Sequence, residues 1–461
     1  MRGEVLVYGL GRSGLAVLRR LGKESRTAFF ELREGGADVA EALDLGSRRA
    51  AAPSASESGQ DYDYDLVIAA PGVPIDHPDL NALRSRGALV IGEVEWVWRT
   101  TPGVYIGISG TAGKGSVTRW TADTLAAAGM DAVAGGNIEP ALAAVARPGA
   151  VHVVEMSSFQ LERCPTFKPD VAVLLNLGED HIDRHGSVSA YHAAKRNLLA
   201  NLGAGTTFVA NDDDEILRLW AAEAEAAGVN VRRFSLTHEA DAYRNLGGRL
   251  VMDGAPLVHS DELHVLGEHQ VANALAVALT CAAVGADPSA ITAGLRAFTG
   301  LPGRYSAAGQ VGGVRFLEDS IATRPLAVAA ALRSTPKPLV WLAGGQAKGA
   351  DVSGLAGLVA EKVDLLVALG ASGPALQAAF GDLVPTVLVS EPRGRPAMRA
   401  AVAAALEHLN AHHGGAGNVL LAPLAASFDQ FEDYADRAAA FREAVAANAA
   451  NARRPPLEAD A

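Results

Sequence analysis

Short apolar runs punctuate the chain, most of them closed by a glycine, an acid or an asparagine and followed by a stretch with helical spacing. Val5–Tyr8, Ala28–Glu31, Asp65–Ala69 and Ala88–Ile91 form a first set. Val104–Ile108, Val151–Glu155, Val171–Leu175 and the run ending at Asn211 form a second. Val314–Leu317, Leu339–Ala343, Leu365–Leu369 and Val419–Ala422 form a third. Runs of this length read as strands, and their alternation with helices predicts α/β units with parallel sheets covered by helices. Residues 240–265 read as short β-hairpins, Gly46–Tyr64 as a loose polar loop and Thr100–Gly103 as a linker. The polar end, 451–461 with Pro455-Pro456, reads as a disordered tail.

One turn dominates. The strand Val104–Ile108 and an amphipathic helix, Lys114–Ala128, flank Gly107-Ile108-Ser109-Gly110-Thr111-Ala112-Gly113-Lys114-Gly115-Ser116-Val117-Thr118. Glycines let backbone N–H groups turn inward around an anion, and the helix N-terminus adds its positive dipole end. Lys114 would then reach the outer phosphates of a nucleotide, with a hydroxyl beside a magnesium ion. The spacing departs from the common phosphate-loop pattern, whose first glycine would fall at Ile108. The plainer reading is a strand–turn–helix corner with a solvated lysine. A second turn, Gly9-Leu10-Gly11-Arg12-Ser13-Gly14, matches G-x-G-x-x-G, with Glu31 ending the next strand. It suits a dinucleotide or another diphosphate-bearing ligand. Ala70-Pro71-Gly72-Val73-Pro74 is a rigid turn at the C-terminal end of a strand, where open α/β sheets place ligands.

At 461 residues the chain has room for about three domains. A formal net charge of −12 without a basic block argues against nucleic acid and anionic membrane as partners. Cys164 and Cys281 are the only cysteines, which fits a reduced compartment. No signal peptide or bilayer-spanning run stands out, so a cytoplasmic location is expected.

Further chemistry gathers after the phosphate loop. Glu155 ends a strand and precedes Met156-Ser157-Ser158-Phe159-Gln160. A strand-terminal acid beside a phosphate loop suits a magnesium ligand; equally, Ser157 and Ser158 suit a helix cap. Asn176-Leu177-Gly178-Glu179-Asp180-His181-Ile182-Asp183-Arg184-His185 packs two histidines and three acids into one turn. Lys195 follows on a helix from Tyr191, and by itself reads as a surface lysine. Gly267-Glu268-His269-Gln270-Val271-Ala272-Asn273 opens another helix with polar tips suited to a purine.

Taken together, the glycine turns, Gly135-Gly136-Asn137-Ile138, Glu155–Glu162, Glu179–Arg184, Ala194-Lys195, Phe298-Thr299-Gly300-Leu301-Pro302 and Ser427-Phe428-Asp429-Gln430-Phe431 resemble the Mur ligase family. The likeness runs from Val5 to about Phe441 and is strongest to members that add D-glutamate. It implies a Rossmann-like domain for a UDP-sugar (1–98), a central ATP-binding P-loop-type domain with a small β-hairpin region (99–298) and a C-terminal Rossmann-like domain (299–450). The activity implied is ATP-dependent amide formation between UDP-N-acetylmuramoyl-L-alanine and D-glutamate through an acyl phosphate. A monomer is expected.

Carried over by position, Gly110, Thr111, Gly113, Lys114, Gly115, Ser116, Asn273, Arg304 and Asp319 would hold ATP. Ser13, Glu31, Arg33, Gly72, Asn137, Ser157, Gln160 and His181 would hold the UDP-muramoyl part. Thr323, Lys348, Ser427 and Tyr434 would hold D-glutamate. Ser116, Glu155, His181 and a CO2-derived carbamate on Lys195 would hold two Mg2+ ions. Lys114, Glu155, His181, Lys195 and Lys348 would be the catalytic set. The chain departs from the family pattern at Ala112, Gly115, Gly178, Gly303, Ile321, Arg324 and Gln346-Ala347. Those departures keep two rivals open: a ligase of altered amino-acid specificity, and a non-catalytic protein binding nucleotide or UDP-sugar. A nicotinamide-dependent dehydrogenase rests on the first glycine turn alone.

Overall fold

The apolar runs become strands of three sheets in a computed structural model, which describes residues 4–22, 25–33, 35–52, 64–265, 267–301, 303–346, 352–390 and 393–452. The first sheet takes β1 (Glu4–Tyr8), β2 (Thr27–Phe30), β3 (Arg48–Arg49), β4 (Tyr64–Ala69) and β5 (Leu89–Ile91). Its order is β3-β2-β1-β4-β5, and every pair is parallel. Parallel neighbours need crossover connections, which is why helices such as Arg12–Leu21 return the chain between strands.

The second sheet contains β6 (Val104–Ser109), β7 (Ala132–Gly136), β8 (Val151–Glu155), β9 (Val171–Leu174), β10 (Thr207–Asn211), β11 (Asn230–Ser235), β12 (Ala242–Arg244), β13 (Arg249–Met252) and β14 (Ala255–His259). They run in the order β14-β13-β12-β11-β10-β9-β6-β8-β7. The expected hairpins are β12 to β14, joined antiparallel to the parallel part. Asp253 and Gly254, with φ of 51° and 76°, make the two-residue turn between β13 and β14. Both positions demand a left-handed backbone, which an Asp-Gly pair tolerates.

The third sheet holds β15 (Ser306–Val311), β16 (Gly313–Glu318), β17 (Leu339–Gly344), β18 (Leu365–Leu369), β19 (Thr386–Leu388) and β20 (Ala416–Leu421), in the order β15-β16-β20-β17-β18-β19. Only the β15–β16 pair is antiparallel. Trp341 and Leu366 bury on one face with Phe380, and Leu342 and Val367 on the other with Phe441. This is the two-sided burial of a helix-covered sheet.

Three local readings are corrected. Gly46–Tyr64 contains β3, whose two residues pair with β2, and Tyr64 already belongs to β4; residues 53–63 lie outside the described part. The Gly135-Gly136-Asn137-Ile138 segment, whose sequence reads as a glycine turn with a polar tip, has its two glycines at the end of β7. β15 and β19, too polar or too short to stand out, add edges to the third sheet.

The first two sheets share one apolar core, in which Val7, Phe29 and Ile68 continue through Trp96 and Val97 to Tyr105, Phe167 and Leu174. Met1–Leu263 with Val271–Ala297 form one compact unit, and His264–Gln270 with Phe298–Ala461 the other. The boundary expected at 98 falls inside the helix Glu93–Thr100, and the last helix, Tyr434–Ala452, passes the boundary expected at 450. The rest of the expected tail lies outside the described residues. No described helix is long and apolar enough to cross a membrane.

Candidate active site

Strand β6 ends in the phosphate-loop turn, and two glycines there adopt conformations that side chains resist. Gly110 has φ of 152°, and Gly113, at 84°, caps the helix Lys114–Ala127. A Cβ on Gly113 would stand 2.8 Å from Asn273 Oδ1, so glycine is also what lets buried Asn273 approach. Asn176, from the segment after β9, clamps the loop's crest. Its Oδ1 accepts from the Ala112 N–H at 2.8 Å and its Nδ2 donates to the Ala112 carbonyl at 3.2 Å.

Two lysines converge on one carbonyl. Lys114 Nζ donates to the oxygens of Gly110 and Thr111 at 2.9 and 3.0 Å. Lys195 Nζ reaches the same Gly110 oxygen at 2.7 Å. Lys195 is 1 % exposed, far from the surface lysine its sequence context suggests. Its ammonium lies 4.6 Å from the centroid of Tyr191, one helical turn earlier. Burial and then the charge of Lys114 push its amine down to about 7, against the pull of Asp180 and Glu155. Tyr191 closes the group by donating to Thr111 Oγ1 at 3.3 Å. Tyr191 and Asn176 were not among the expected site residues; the spacing of Tyr191 from Lys195 was the available signal.

Glu155 ends β8 and is 2 % exposed. Asn137 Nδ2 donates to its Oε1 at 2.7 Å, while its buried Oε2 has no protein partner among the described residues. An unpartnered buried carboxylate oxygen, whose charge acts on Lys195, fits a hard cation. Ser116 is buried in the first turn of the phosphate-loop helix. His181 holds a left-handed backbone, φ 53°, at the head of the helix Ile182–His185, and its ring lies 4.8 Å from that of Phe159. Among the described residues, no three His, Cys, Asp or Glu side chains are grouped to hold a metal by themselves. The capping alternative holds for Ser157, which forms a capping box with Gln160 as its Oγ accepts from the Gln160 N–H; Ser158 is already the first helical residue.

The first glycine turn is built differently. Gly14 is obligatory, because a Cβ there would stand 2.1 Å from the Gly9 oxygen. Ser13 is the second residue of the helix Arg12–Leu21. Glu31 follows β2, and its Oε2 accepts from the Leu10 N–H at 3.1 Å while Oε1 accepts from Arg33 at 3.2 Å. Burial opposes ionisation, but the hydrogen bonds from Arg33 and Leu10 hold the carboxylate down at about 2. Gly72 lies in the turn after β4, whose Ala70 and Val73 approach Gly9.

In the second unit, Arg304 and Asp319 flank the start of the sheet. Burial pushes the Asp319 carboxyl up to about 7, with the Tyr305 N–H and the charge of Arg304 opposing it. Gly303 has φ of 78°, which disfavours a side chain, and a Cβ there would lie 3.6–3.7 Å from Glu318, Ile321 and Tyr434. Thr323 donates its N–H to the Ile321 carbonyl, Ser427 is buried and Tyr434 is half exposed. Lys348 and Ala347 lie outside the described residues.

Comparison with known proteins follows the same lines. Residues 108–281 match the Mur ligase middle domain. The UDP-N-acetylmuramoylalanine–D-glutamate ligase of Thermus thermophilus is 45% identical over 448 residues, covering 95% of this chain and 96% of the relative. The ligase of the same name from Deinococcus radiodurans is 42% identical, covering 96% of this chain and 92% of its own. Among solved structures, the UDP-N-acetylmuramate–alanine ligase MurC of Thermotoga maritima has a TM-score of 0.56 at 18% identity, covering 97% and 100% of the two chains. The MurF ligase of Thermotoga maritima, solved in complex with ADP, gives 0.56 at 16%, covering 96% and 98%. These two show the fold. On the identity and coverage of its relatives, the chain belongs to the Mur ligase family.

Proposed function

We propose that the chain is an ATP-dependent ligase that joins D-glutamate to UDP-N-acetylmuramoyl-L-alanine in peptidoglycan precursor synthesis. The observation that carries the reading is the pair of lysines at the Gly110 carbonyl, together with a buried carboxylate that has one oxygen unpartnered. A carboxylate is a poor electrophile, so amide formation needs its oxygen converted to a leaving group. Transfer of the ATP γ-phosphoryl group to the L-alanine carboxylate does this. The D-glutamate amine then attacks the acyl phosphate, and phosphate leaves as the amide forms.

In this reading the phosphate loop, Gly110 to Ser116, cradles the phosphates, and Lys114 swings from the loop carbonyls onto them. Glu155, His181 and Ser116 would hold Mg2+ together with ATP oxygens, since Mg2+ commonly takes one or two carboxylates and completes its shell from phosphates and water. Bound there, Mg2+ would neutralise charge on the transferring phosphoryl group. Lys195 would carry the carbamate: a buried amine held near 7 is unprotonated often enough near neutral pH to accept CO2, and the product is an anionic two-oxygen ligand. Asn273, Arg304 and Asp319 would take the nucleoside. Ser13, Glu31, Arg33, Gly72, Asn137, Ser157 and Gln160 would take the UDP-muramoyl part, and Thr323, Lys348, Ser427 and Tyr434 the D-glutamate.

The domain assignment accompanies this: UDP-sugar on 1–98, ATP on 99–298 and amino acid on 299–450. A cytoplasmic monomer is the setting we propose. The test is phosphate release from ATP in bicarbonate and Mg2+, with each substrate omitted in turn. Release that requires both UDP-N-acetylmuramoyl-L-alanine and D-glutamate is the expected result. Binding of the UDP-sugar without release would overturn the reading.

A further inference from the structure

Two arginines outside the expected site meet at one backbone oxygen. Arg163 follows the helix Ser158–Leu161, is 1 % exposed, and donates through Nη2 to the Val73 carbonyl. Arg184, on the helix Ile182–His185, donates through Nη2 to the same oxygen at 2.8 Å. Nε and Nη1 of Arg163 meet no protein acceptor among the described residues. Burial pulls its guanidinium down to about 10, with Glu162 opposing and Arg184 and Arg84 adding to the effect. A buried cation with so few hydrogen bonds costs stability, so packing offers no reason for arginine at 163. The carbonyl does.

Val73 belongs to the turn that follows β4, at the end of the sheet where ligands gather. Its N–H closes that turn on the Ala70 carbonyl at 3.1 Å. Its Cγ2 lies 3.8 Å from where a Cβ on Gly9 would stand, so the turn backs directly onto the first glycine loop. On the other side, the Arg184 guanidinium lies 5.1 Å from the Phe159 centroid, and the His181 ring lies 4.8 Å from that same ring. Glu162 completes the frame, 3.8 Å from Arg184 and 3.3 Å from His185 Nδ1.

We propose that Arg163 and Arg184 are positioning residues that clasp the Val73 carbonyl and so fix the Ala70–Pro74 turn between the Gly9 loop and the Phe159–His181 pair, setting the affinity for the UDP-sugar end of the substrate. The proposal rests on the ligase reading above. Neither arginine need touch substrate; both act through the turn.

The test uses the full chain and the variants Arg163→Met, Arg163→Lys and Arg184→Met. Hydrogen exchange across 70–77 is measured without substrates, and ligation kinetics are measured with each substrate varied. Losing a hydrogen bond from a charged donor is expected to speed exchange in the turn by about tenfold and to raise KM for UDP-N-acetylmuramoyl-L-alanine about tenfold. KM for ATP and kcat should stay within about twofold, the pattern of lost uniform binding of one substrate. Arg163→Met should melt no lower than the parent, and Arg163→Lys should recover part of the KM. Unchanged exchange with unchanged KM would overturn the clasp. A lower melting point with all kinetic constants moving together would also overturn it, by making the arginine structural. A parent protein that forms no product would sink the ligase reading instead, and exchange in the turn would then decide the clasp alone.

Discussion

Two of the chain's strand–glycine–helix corners, at Gly9–Gly14 and Gly107–Thr118, have surroundings that differ in sign. In the first, the Glu31 carboxylate accepts from the Leu10 N–H, so an acid already occupies one of the loop's donors. In the second, two lysine ammonium groups meet at the Gly110 carbonyl. An acid at the loop favours hydroxyl and N–H donors of a ligand over its phosphates, whereas the Lys114 ammonium favours phosphate oxygens. Glycine spacing alone cannot separate these outcomes; the charge brought by neighbouring strands and helices does.

A large expected effect comes from removing Lys114, one of the two lysines at the second corner. Lys114→Ala should lower kcat for ligation by about 10²–10³-fold, the cost of one preorganised charge-stabilising donor. Steady-state phosphate release checks it, and a loss below tenfold would place the phosphates elsewhere. At the first corner the sensitive element is steric. Gly14→Ala sets a methyl 2.1 Å from the Gly9 oxygen, a backbone atom that cannot turn aside. It should destabilise the protein by on the order of 2–3 kcal/mol, read as a drop in Tm. A melting curve like the parent's would mean the loop rebuilds easily.

Lys195 tests whether burial, beyond charge, defines the second corner. Its amine is held near 7 in the folded protein, well below the ordinary lysine value of 10.5. Between those values the unfolded chain binds the extra proton, so this group makes stability rise with pH. Below about 7 its cost is complete and constant, and above about 10.5 it vanishes. Lys195→Met should therefore raise Tm at pH 7, with the gain shrinking toward pH 10, while ligation is lost. A Tm gain independent of pH would mean that burial does not depress this amine.

How far the sequence carried these contrasts depends on what each feature needed. Strands such as Val151–Glu155 and Leu365–Leu369 match the expected bounds residue for residue, because unbroken apolar runs between turn residues leave little freedom. β3 did not stand out, since two exposed arginines carry no strand pattern and pair only because β2 lies alongside. The phosphate loop and Lys114 were legible from local spacing. Lys195 was not: its burial depends on a carbonyl 85 positions away, and only family resemblance raised it above a surface lysine. Asn176 and Arg184 lie in a motif the sequence shows, but they and Arg163 act through backbone carbonyls and amides, so nothing in the motif reveals their roles.

Glu31 gives the smallest effect and the sharpest test of the first corner. Glu31→Gln keeps the shape and leaves an oxygen to accept from Leu10, but removes the charge that Arg33 balances. If that corner serves a ligand's hydroxyls, KM for UDP-N-acetylmuramoyl-L-alanine should rise about two- to fivefold with kcat unchanged, as expected for loss of uniform binding. The acid-side stability should change as well. The folded carboxyl titrates near 2 against an ordinary glutamate value of 4.5, so its contribution is present above about 4.5 and is lost as pH falls toward 2. The variant should lack that loss, and its Tm should converge on the parent's as acid is added. A KM that falls on removal of the charge would mean that the first corner, too, receives phosphate and that the acid repels it. The contrast between the two corners would then be one of degree, with Arg33 the cation that matters at the first.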